Sequence, residues 1–166
     1  MVILGIDPGT ARCGYGLISD TKGRLGLIEC GLIETPSTSP LTDRLLTIHT
    51  RLLELIDGQN PETVAVEELF FASNAKTAIA VGQARGVILL AAATGGVPVA
   101  EYTPLQVKQA VTGYGRADKE QVRSMVKTIL NLPDLKGHDD ASDALAIAIC
   151  HAFSARMTEK LGSAAR

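Results

Sequence analysis

The sequence has no tryptophan, only three cysteines, no long apolar run and no excess of basic charge. Cys13, Cys30 and Cys150 are odd in number and far apart, so neither a disulfide framework nor a cysteine zinc site is expected. No unbroken apolar stretch of about 18 residues predicts a membrane span. The short apolar N-terminal run also lacks the basic region of a signal peptide. We therefore expect a protein of the reducing cytoplasm.

The net charge of −2 differs from the basic balance of most nucleic-acid-binding proteins. The charge is unevenly distributed, however, because residues 104–137 carry six basic and three acidic side chains. A length of 166 residues is sufficient for one domain with its own core. We predict a single domain over residues 1–157 and a flexible C-terminal tail over residues 158–166.

The hydrophobic patterns predict a strand meander followed by alternating helices and strands. Strands are expected at residues 2–7, 13–20, 25–34, 63–67 and 97–100. Helices are expected from Pro40 to Gly58 with Ser39 as cap, from Ser73 to about Thr94, and over residues 104–112, 118–131 and 139–157. This order predicts an α/β fold with a five-stranded mixed sheet flanked by helices, as in ribonuclease H-like proteins.

Two predicted strands end in a carboxylate. Asp7 interrupts an apolar run directly before Pro8-Gly9, and Glu67 closes the run Val64-Ala65-Val66. A buried carboxylate is unfavourable unless it is paired or binds a cation. For Asp7 the alternative is a turn-initiating role at Pro8-Gly9. Because neighbouring parallel strands end side by side, the two acids indicate one site.

A third group of acids opens the last predicted helix. Asp139, Asp140 and Asp143 lie in its first turns, where acids commonly cap free N–H groups. Capping explains Asp143 poorly, because it is surrounded by apolar residues within the helix. Spacing alone does not decide whether Asp139 or Asp140 shares its face. His138 is interpreted as an exposed loop residue rather than a ligand.

Clustered carboxylates without cysteine or histidine are typical ligands of a hard cation such as Mg²⁺. Two such ions about 3.5–4 Å apart can activate a water and stabilise the leaving oxygen in phosphodiester hydrolysis. The acids therefore indicate a metal-dependent nuclease.

The helix over residues 118–131 combines a capping box, Asp118 with Gln121, and a basic face. That face carries Lys119, Arg123 and Lys127 at steps of four. An ordinary solvated face is the alternative, but Lys108 and Arg116 lie close in sequence and favour a surface that binds DNA phosphates.

The helix after residue 73 has a stripe of small residues, Ala78, Gly82 and Gly86. Such a stripe allows close approach either of the protein's own sheet or of a second copy of the chain. The sequence leaves both possibilities open, and it equally leaves open whether Arg85 faces a dimer interface or DNA.

Several motifs together resemble the RuvC family of Holliday junction resolvases, in order along about residues 2–153. They are Gly5-Ile6-Asp7-Pro8-Gly9-Thr10, Gly14-Tyr15-Gly16, Val66-Glu67 with Phe70, Asn74, Gly82-Gln83-Ala84-Arg85-Gly86, Gln106-Val107-Lys108-Gln109 and Asp140-Ala141-Ser142-Asp143-Ala144-Leu145-Ala146.

The resemblance implies a homodimer that nicks two strands of a four-way DNA junction symmetrically, with Mg²⁺ or Mn²⁺. It implies that the catalytic and metal-binding acids are Asp7, Glu67, Asp140 and Asp143, and that Lys108 and Lys119 lie by the scissile phosphate. It also implies a base-contacting aromatic side chain at Phe70 and cooperation with a branch-migration motor of the RuvA and RuvB type. The DNA-binding residues expected in all are Phe70, Asn74, Arg85, Lys108, Arg116, Lys119, Arg123 and Lys127.

Three other classes share parts of this pattern. Actin-like kinases also open a strand with Asp-x-Gly-Thr, but they need two such domains and this chain is too short. A DNA-binding module without activity would not need four acids. A ribonuclease H-like nuclease acting on RNA or another branched nucleic acid differs only in substrate, so it stays the alternative.

Overall fold

A computed structural model describes residues 1–68, 75–133 and 139–164, without the side chains of residues 75–77 and 159–164. Its five strands are β1 (Val2–Asp7), β2 (Arg12–Thr21), β3 (Arg24–Glu34), β4 (Thr63–Glu67) and β5 (Val99–Tyr102). Its helices are α1 (Leu41–Gln59), α2 (Ala75–Thr94), α3 (Pro104–Thr112), α4 (Lys119–Ile129) and α5 (Asp139–Ala164). No helix in the described part of the chain has the length and apolar character needed to cross a membrane.

The strands form one mixed sheet in the order β3-β2-β1-β4-β5. The first three strands pair antiparallel as a meander, and β4 and β5 extend the sheet in parallel with β1. This confirms the predicted five-stranded mixed α/β sheet. Parallel strands need helical crossovers, which α1 and α2 supply.

Each face of the sheet is covered by its own helices. One core packs Ile3 and Ala65 of the sheet against Leu145 of α5 and against other side chains of α3, α4 and α5. The other joins Leu4 and Val66 with side chains of α1 and α2. Because side chains alternate along a strand, Asp7 and Glu67 lie on the same face as Ile3 and Ala65, toward α5.

Some predicted boundaries were wrong. Ser39 is not the cap of α1, because the helix begins at Leu41 with Pro40 as its N-cap residue and no side-chain cap. The strand predicted at residues 97–100 lies two residues later, at Val99–Tyr102. The last helix continues beyond residue 157 to Ala164, so most of the segment predicted as a tail has a helical backbone.

Candidate active site

The strand register places the two predicted strand-end acids next to each other. β1 and β4 are parallel, and Ile6 lies opposite Val66. Asp7 and Glu67 follow these residues directly and are both half-buried. The apolar strands on either side fix both backbones, so these two carboxylates are held side by side on the face that α5 covers.

Helix α5 brings the remaining acids to the same place, because its first turn lies directly on β2. A Cβ built at Gly14 would lie 2.1 Å from the carbonyl oxygen of Asp140, and one built at Gly5 would lie 2.1 Å from that of Ala144. Only glycine leaves room for this helix backbone. The side chains of Asp140 and Asp143 are 22% and 31% exposed, whereas that of Asp139 is 63% exposed.

The electrostatics of Asp7 identify which acids surround it. Burial raises the pKa of Asp7 to about 8, with further contributions from Glu67, Asp143 and Asp140. Asp139 is not among these neighbours. Burial, followed by the charge of Asp143, also raises the pKa of Glu67. The geometry therefore groups Asp140 with the other three acids and places Asp139 outside the cluster, which spacing in the sequence could not decide.

Basic side chains pair with the acids of α5. Lys119 Nζ lies 3.0 Å from Asp143 Oδ2, and the pKa of Lys119 is raised first by this hydrogen bond. Arg12 Nε lies 3.0 Å from Asp140 Oδ2, and Arg123 Nη1 lies 2.9 Å from Asp139 Oδ1. The cluster thus has cationic partners on two sides, one from β2 and one from α4.

A cavity of about 300 Å³ opens onto the cluster. Asp7, Glu67 and Asp143 line it together with Lys108 and Lys119. Its remaining lining is mostly apolar and comes from α3, α4 and α5: Pro104, Val107, Val122, Ala146 and Ile147. Three acids and two lysines therefore face one partly apolar space, which strengthens their electrostatic interactions.

The donor set suits a hard cation, although no three acid, cysteine or histidine side chains among the described residues form a ready-made metal cage. The carboxylates of Asp140 and Asp143 point toward Arg12 and Lys119 instead. Burial and the neighbouring acids nevertheless raise the pKa of Asp7 to about 8, so the site favours added positive charge. A proton, a basic side chain or a divalent ion could supply that charge.

Arg12 was not predicted from the sequence. It follows the Asp7 turn and begins β2, and the β1–β2 hairpin register, in which Asp7 lies opposite Gly14, could have indicated its position. Thr35 was also missed: its hydroxyl donates to the carbonyl of Thr10 and accepts from Arg44 Nε at 2.9 Å. Thr35 therefore anchors the turn between Asp7 and Arg12.

The other predicted DNA-binding residues lie in different settings. Arg116 is exposed in the loop between α3 and α4, and Lys127 is half-buried on α4. Arg85 forms an ion pair with Glu101 on the edge strand β5, away from the acid cluster. Phe70, Asn74 and His138 lie outside the described residues.

Comparisons with known proteins place the chain in a family. The family model for the crossover junction endodeoxyribonuclease RuvC matches residues 3–151. A relative of that name from Desulfitobacterium hafniense is 55% identical over 164 residues, covering 99% of each chain.

Two solved structures are also similar. Thermus thermophilus RuvC superimposes with a TM-score of 0.89 at 44% identity, covering 95% of this chain and 97% of that one. The T. thermophilus RuvC structure in complex with a Holliday junction substrate gives 0.91 at 43% identity, covering 95% and 96%. These likenesses include the ribonuclease H-like arrangement of the sheet.

Proposed function

Since this chain belongs to the RuvC family of crossover junction endodeoxyribonucleases, we propose that it resolves four-way DNA junctions by paired, symmetric nicks. The reaction is hydrolysis of a phosphodiester bond, and it serves homologous recombination and DNA repair. One observation from the molecule itself supports this most: Asp7, Glu67, Asp140 and Asp143 come from three separate elements and converge at one place, where burial and then the neighbouring acids raise the pKa of Asp7 to about 8.

The four acids are the proposed ligands of divalent metal ions, two Mg²⁺ per site, with Mn²⁺ able to substitute. Ions held there would supply activation of the attacking water and stabilisation of the leaving oxygen. Asp7 would hold them in its ionised form, and Asp140 and Asp143 would exchange their contacts with Arg12 and Lys119 for the ions. The two basic side chains would then be available to the DNA strand.

Lys108 and Lys119 are the proposed phosphate-binding residues at the scissile bond. Both line the cavity that contains Asp7 and Glu67, from α3 and from the first turn of α4. A cation in this position stabilises the negative charge that develops on the phosphate oxygens. Farther out, Arg116, Arg123 and Lys127 extend a basic surface for the DNA backbone, and its binding should weaken steeply with salt. Phe70 and Asn74 remain predicted contacts to bases at the junction.

The functional unit is proposed to be a homodimer, because two symmetric nicks need two active sites. Helix α2 presents exposed apolar side chains, Ile79 at 63% and Leu90 at 58%. Gly86 is also exposed, and a Cβ built there meets nothing within 4 Å. Its small size is therefore not required by packing within the chain, which favours the dimer reading of the small-residue stripe.

The remaining assignments follow from family membership. Residues 1–157 are proposed to form one nuclease domain, and residues 158–166, which begin with the last turns of α5, are proposed to be flexible relative to it. The protein is expected to work in the cytoplasm with a branch-migration motor of the RuvA and RuvB type.

The proposed function is tested with a synthetic four-way junction and Mg²⁺. The wild-type protein should resolve it into nicked duplexes and leave linear duplex uncut. Asp7→Asn should still bind the junction but cut at below about 1% of the wild-type rate, because it removes a proposed metal ligand. Such a loss corresponds to two tenfold steps, each equal to about 1.4 kcal/mol of transition-state stabilisation.

Asp139 and Asp140 provide a matched pair of variants. Asp140→Asn removes a cluster acid and should abolish cutting, whereas Asp139→Asn removes the exposed neighbour paired with Arg123 and should leave cutting within a few fold. Equal cutting of junction and linear duplex, faster cutting of branched RNA, or full activity of Asp140→Asn would contradict the proposal.

A further inference from the structure

An apolar cleft lies beside the acid cavity. It has a volume of about 220 Å³ and is lined by Thr103, Pro104, Leu105, Lys108 and Gly115, which together define the Leu105 cleft. Leu105 is 63% exposed. Pro104 and Lys108 line both this cleft and the acid cavity, so the two spaces are neighbours that share these two side chains.

Gly115 keeps the cleft open. A Cβ built on Gly115 would lie 2.6 Å from Leu105 Cδ1, so any side chain there would push Leu105 or fill the space. The φ angle of Gly115 lies outside the left-handed region, unlike that of Gly113 at 75°. The backbone therefore does not require glycine at position 115, and what the residue contributes is room.

The wall of the cleft is held in place by the end of α3. Gln109 Nε2 donates to the carbonyl of Gly113 at 2.8 Å. The Thr112 hydroxyl donates to the carbonyl of Tyr114 at 3.0 Å and accepts from its N–H at 3.1 Å. These bonds fix the loop that leads into Gly115, so the cleft exists before any ligand binds. A preformed cleft costs little entropy to occupy.

The position and chemistry of the cleft indicate its occupant. If the scissile phosphate lies between Lys108 and the acids, as the proposed function requires, a nucleotide attached to that phosphate lies next to Lys108 and can reach the Leu105 cleft. Leu105 and Pro104 offer no hydrogen bonds, so they suit the sugar and the flat face of a base rather than a second phosphate. We infer that the Leu105 cleft binds the sugar and base of one nucleotide adjacent to the scissile phosphate.

The cleft therefore helps to set the strand in register for cutting, and this role rests on the proposed nuclease function. Apolar contact with a nucleotide is tolerant of sequence, since every base has an apolar face. Positioning of this kind should change kcat/KM for the cutting step more than overall junction affinity, to which many phosphate contacts contribute.

The first test compares Leu105→Ala with Leu46→Ala. Leu46 is 64% exposed on α1, on the opposite side of the sheet, so it is matched in residue type and exposure. On an intact junction with Mg²⁺, Leu105→Ala should lower kcat/KM by about fivefold through lost apolar contact, while Leu46→Ala should leave it unchanged. Gly115→Ala, which narrows the cleft without removing Leu105, should lower it as well.

The second test removes the base instead of the side chain. Junctions are made with a single abasic deoxyribose at each of the three nucleotides on either side of the scissile phosphate. At one of these positions the wild-type rate should fall, and Leu105→Ala should then have no further effect, because its contact is already absent. At the other positions the decrease in rate caused by the abasic nucleotide and the decrease caused by Leu105→Ala should multiply.

These measurements separate the two proposals. If the wild-type protein leaves the intact junction uncut, the nuclease function and this inference both fail. If it cuts, but Leu105→Ala behaves like Leu46→Ala or its loss multiplies with the abasic loss at every position, the nuclease function stands and the Leu105 cleft is not a nucleotide site. Thermal unfolding of each variant verifies that it is folded.

Discussion

At the scale of single residues, the proposed chemistry depends on the environment of Asp7. Burial of its carboxyl group, and then the charges of three neighbouring acids, raise the pKa of Asp7 to about 8 when no cation is bound. The carboxyl group of an ordinary aspartic acid has a pKa near 4. Metal binding at neutral pH must therefore displace a proton, and metal affinity should rise with pH up to about 8.

The raised pKa of Asp7 also predicts how stability changes with pH. Between about pH 4 and pH 8 the folded, metal-free protein binds a proton that the unfolded chain has released, so its stability should fall as the pH rises. Asp7→Asn removes this dependence. In EDTA, its stability relative to the wild type should increase by an amount on the order of 4 kcal/mol from pH 5 to pH 8, at about 1.4 kcal/mol per pH unit.

Chemical denaturation at several pH values measures this effect. Asp57→Asn, which changes an exposed acid on α1, should show no such trend. Saturating Mg²⁺ should stabilise the wild-type protein and have much less effect on Asp7→Asn. A stability difference that stays constant with pH would show that Asp7 is already ionised in the metal-free protein.

Candidate site residues could be predicted from the sequence where a charged side chain stands in or at the end of an apolar pattern. Asp7, Glu67 and Asp143 were recognisable because each interrupts an apolar pattern. The ion pairs of Arg12 and Arg85 were not predicted, because their partners lie on other elements: Asp140 on α5 for Arg12, and Glu101 on β5 for Arg85. Such pairs depend on tertiary contacts that no local pattern records.

At the scale of elements, the site depends on how closely α5 lies on the sheet. Its backbone touches β1 and β2 at glycines, and this contact carries Asp140 and Asp143 to the ends of the strands. A side chain at Gly14 would meet backbone rather than a movable side chain, so the helix itself would have to shift.

Gly14→Ala should therefore destabilise the protein by about 1–3 kcal/mol and reduce metal affinity by displacing Asp140. Gly58→Ala provides the control, since Gly58 lies in α1 and a Cβ there meets nothing within 4 Å. That substitution should stabilise the protein by about 0.5–1 kcal/mol and leave metal binding unchanged. Urea denaturation and titration with Mn²⁺ measure both quantities. Unchanged metal affinity in a folded Gly14→Ala protein would contradict the role given to this contact.

Elements defined by local interactions were predicted best. The capping box of α4 is present as expected, with Gln121 N–H donating to Asp118 Oδ1 at 2.8 Å and Asp118 N–H donating to Gln121 Oε1 at 2.9 Å. The edge strand β5 was misplaced by two residues because its start is determined by register with β4, where Glu67 lies opposite Tyr102. Pairing of this kind is a long-range property.

At the scale of the whole molecule, the sheet separates two surfaces to which the proposed function assigns different tasks. The side of α3, α4 and α5 carries the acids, Lys108, Lys119 and the Leu105 cleft. The side of α1 and α2 carries none of these residues, yet it leaves Ile79 and Leu90 exposed on one face of α2. Two copies joined through α2 would keep both acid cavities free for DNA.

This arrangement predicts that subunit contact and metal chemistry can be separated. Ile79→Glu combined with Leu90→Glu should convert the proposed dimer to monomers, observed by light scattering, because four like charges would meet across a twofold interface. Metal affinity should stay unchanged, since the acids lie on the other side of the sheet.

The monomeric variant should cut a junction in unpaired single nicks, visible as nicked junctions that accumulate before resolution. The control, Leu46→Glu, places the same charge on α1 and should remain a dimer that makes paired cuts. If the doubly charged variant still cuts both strands within one binding event, the dimer does not form through this face of α2.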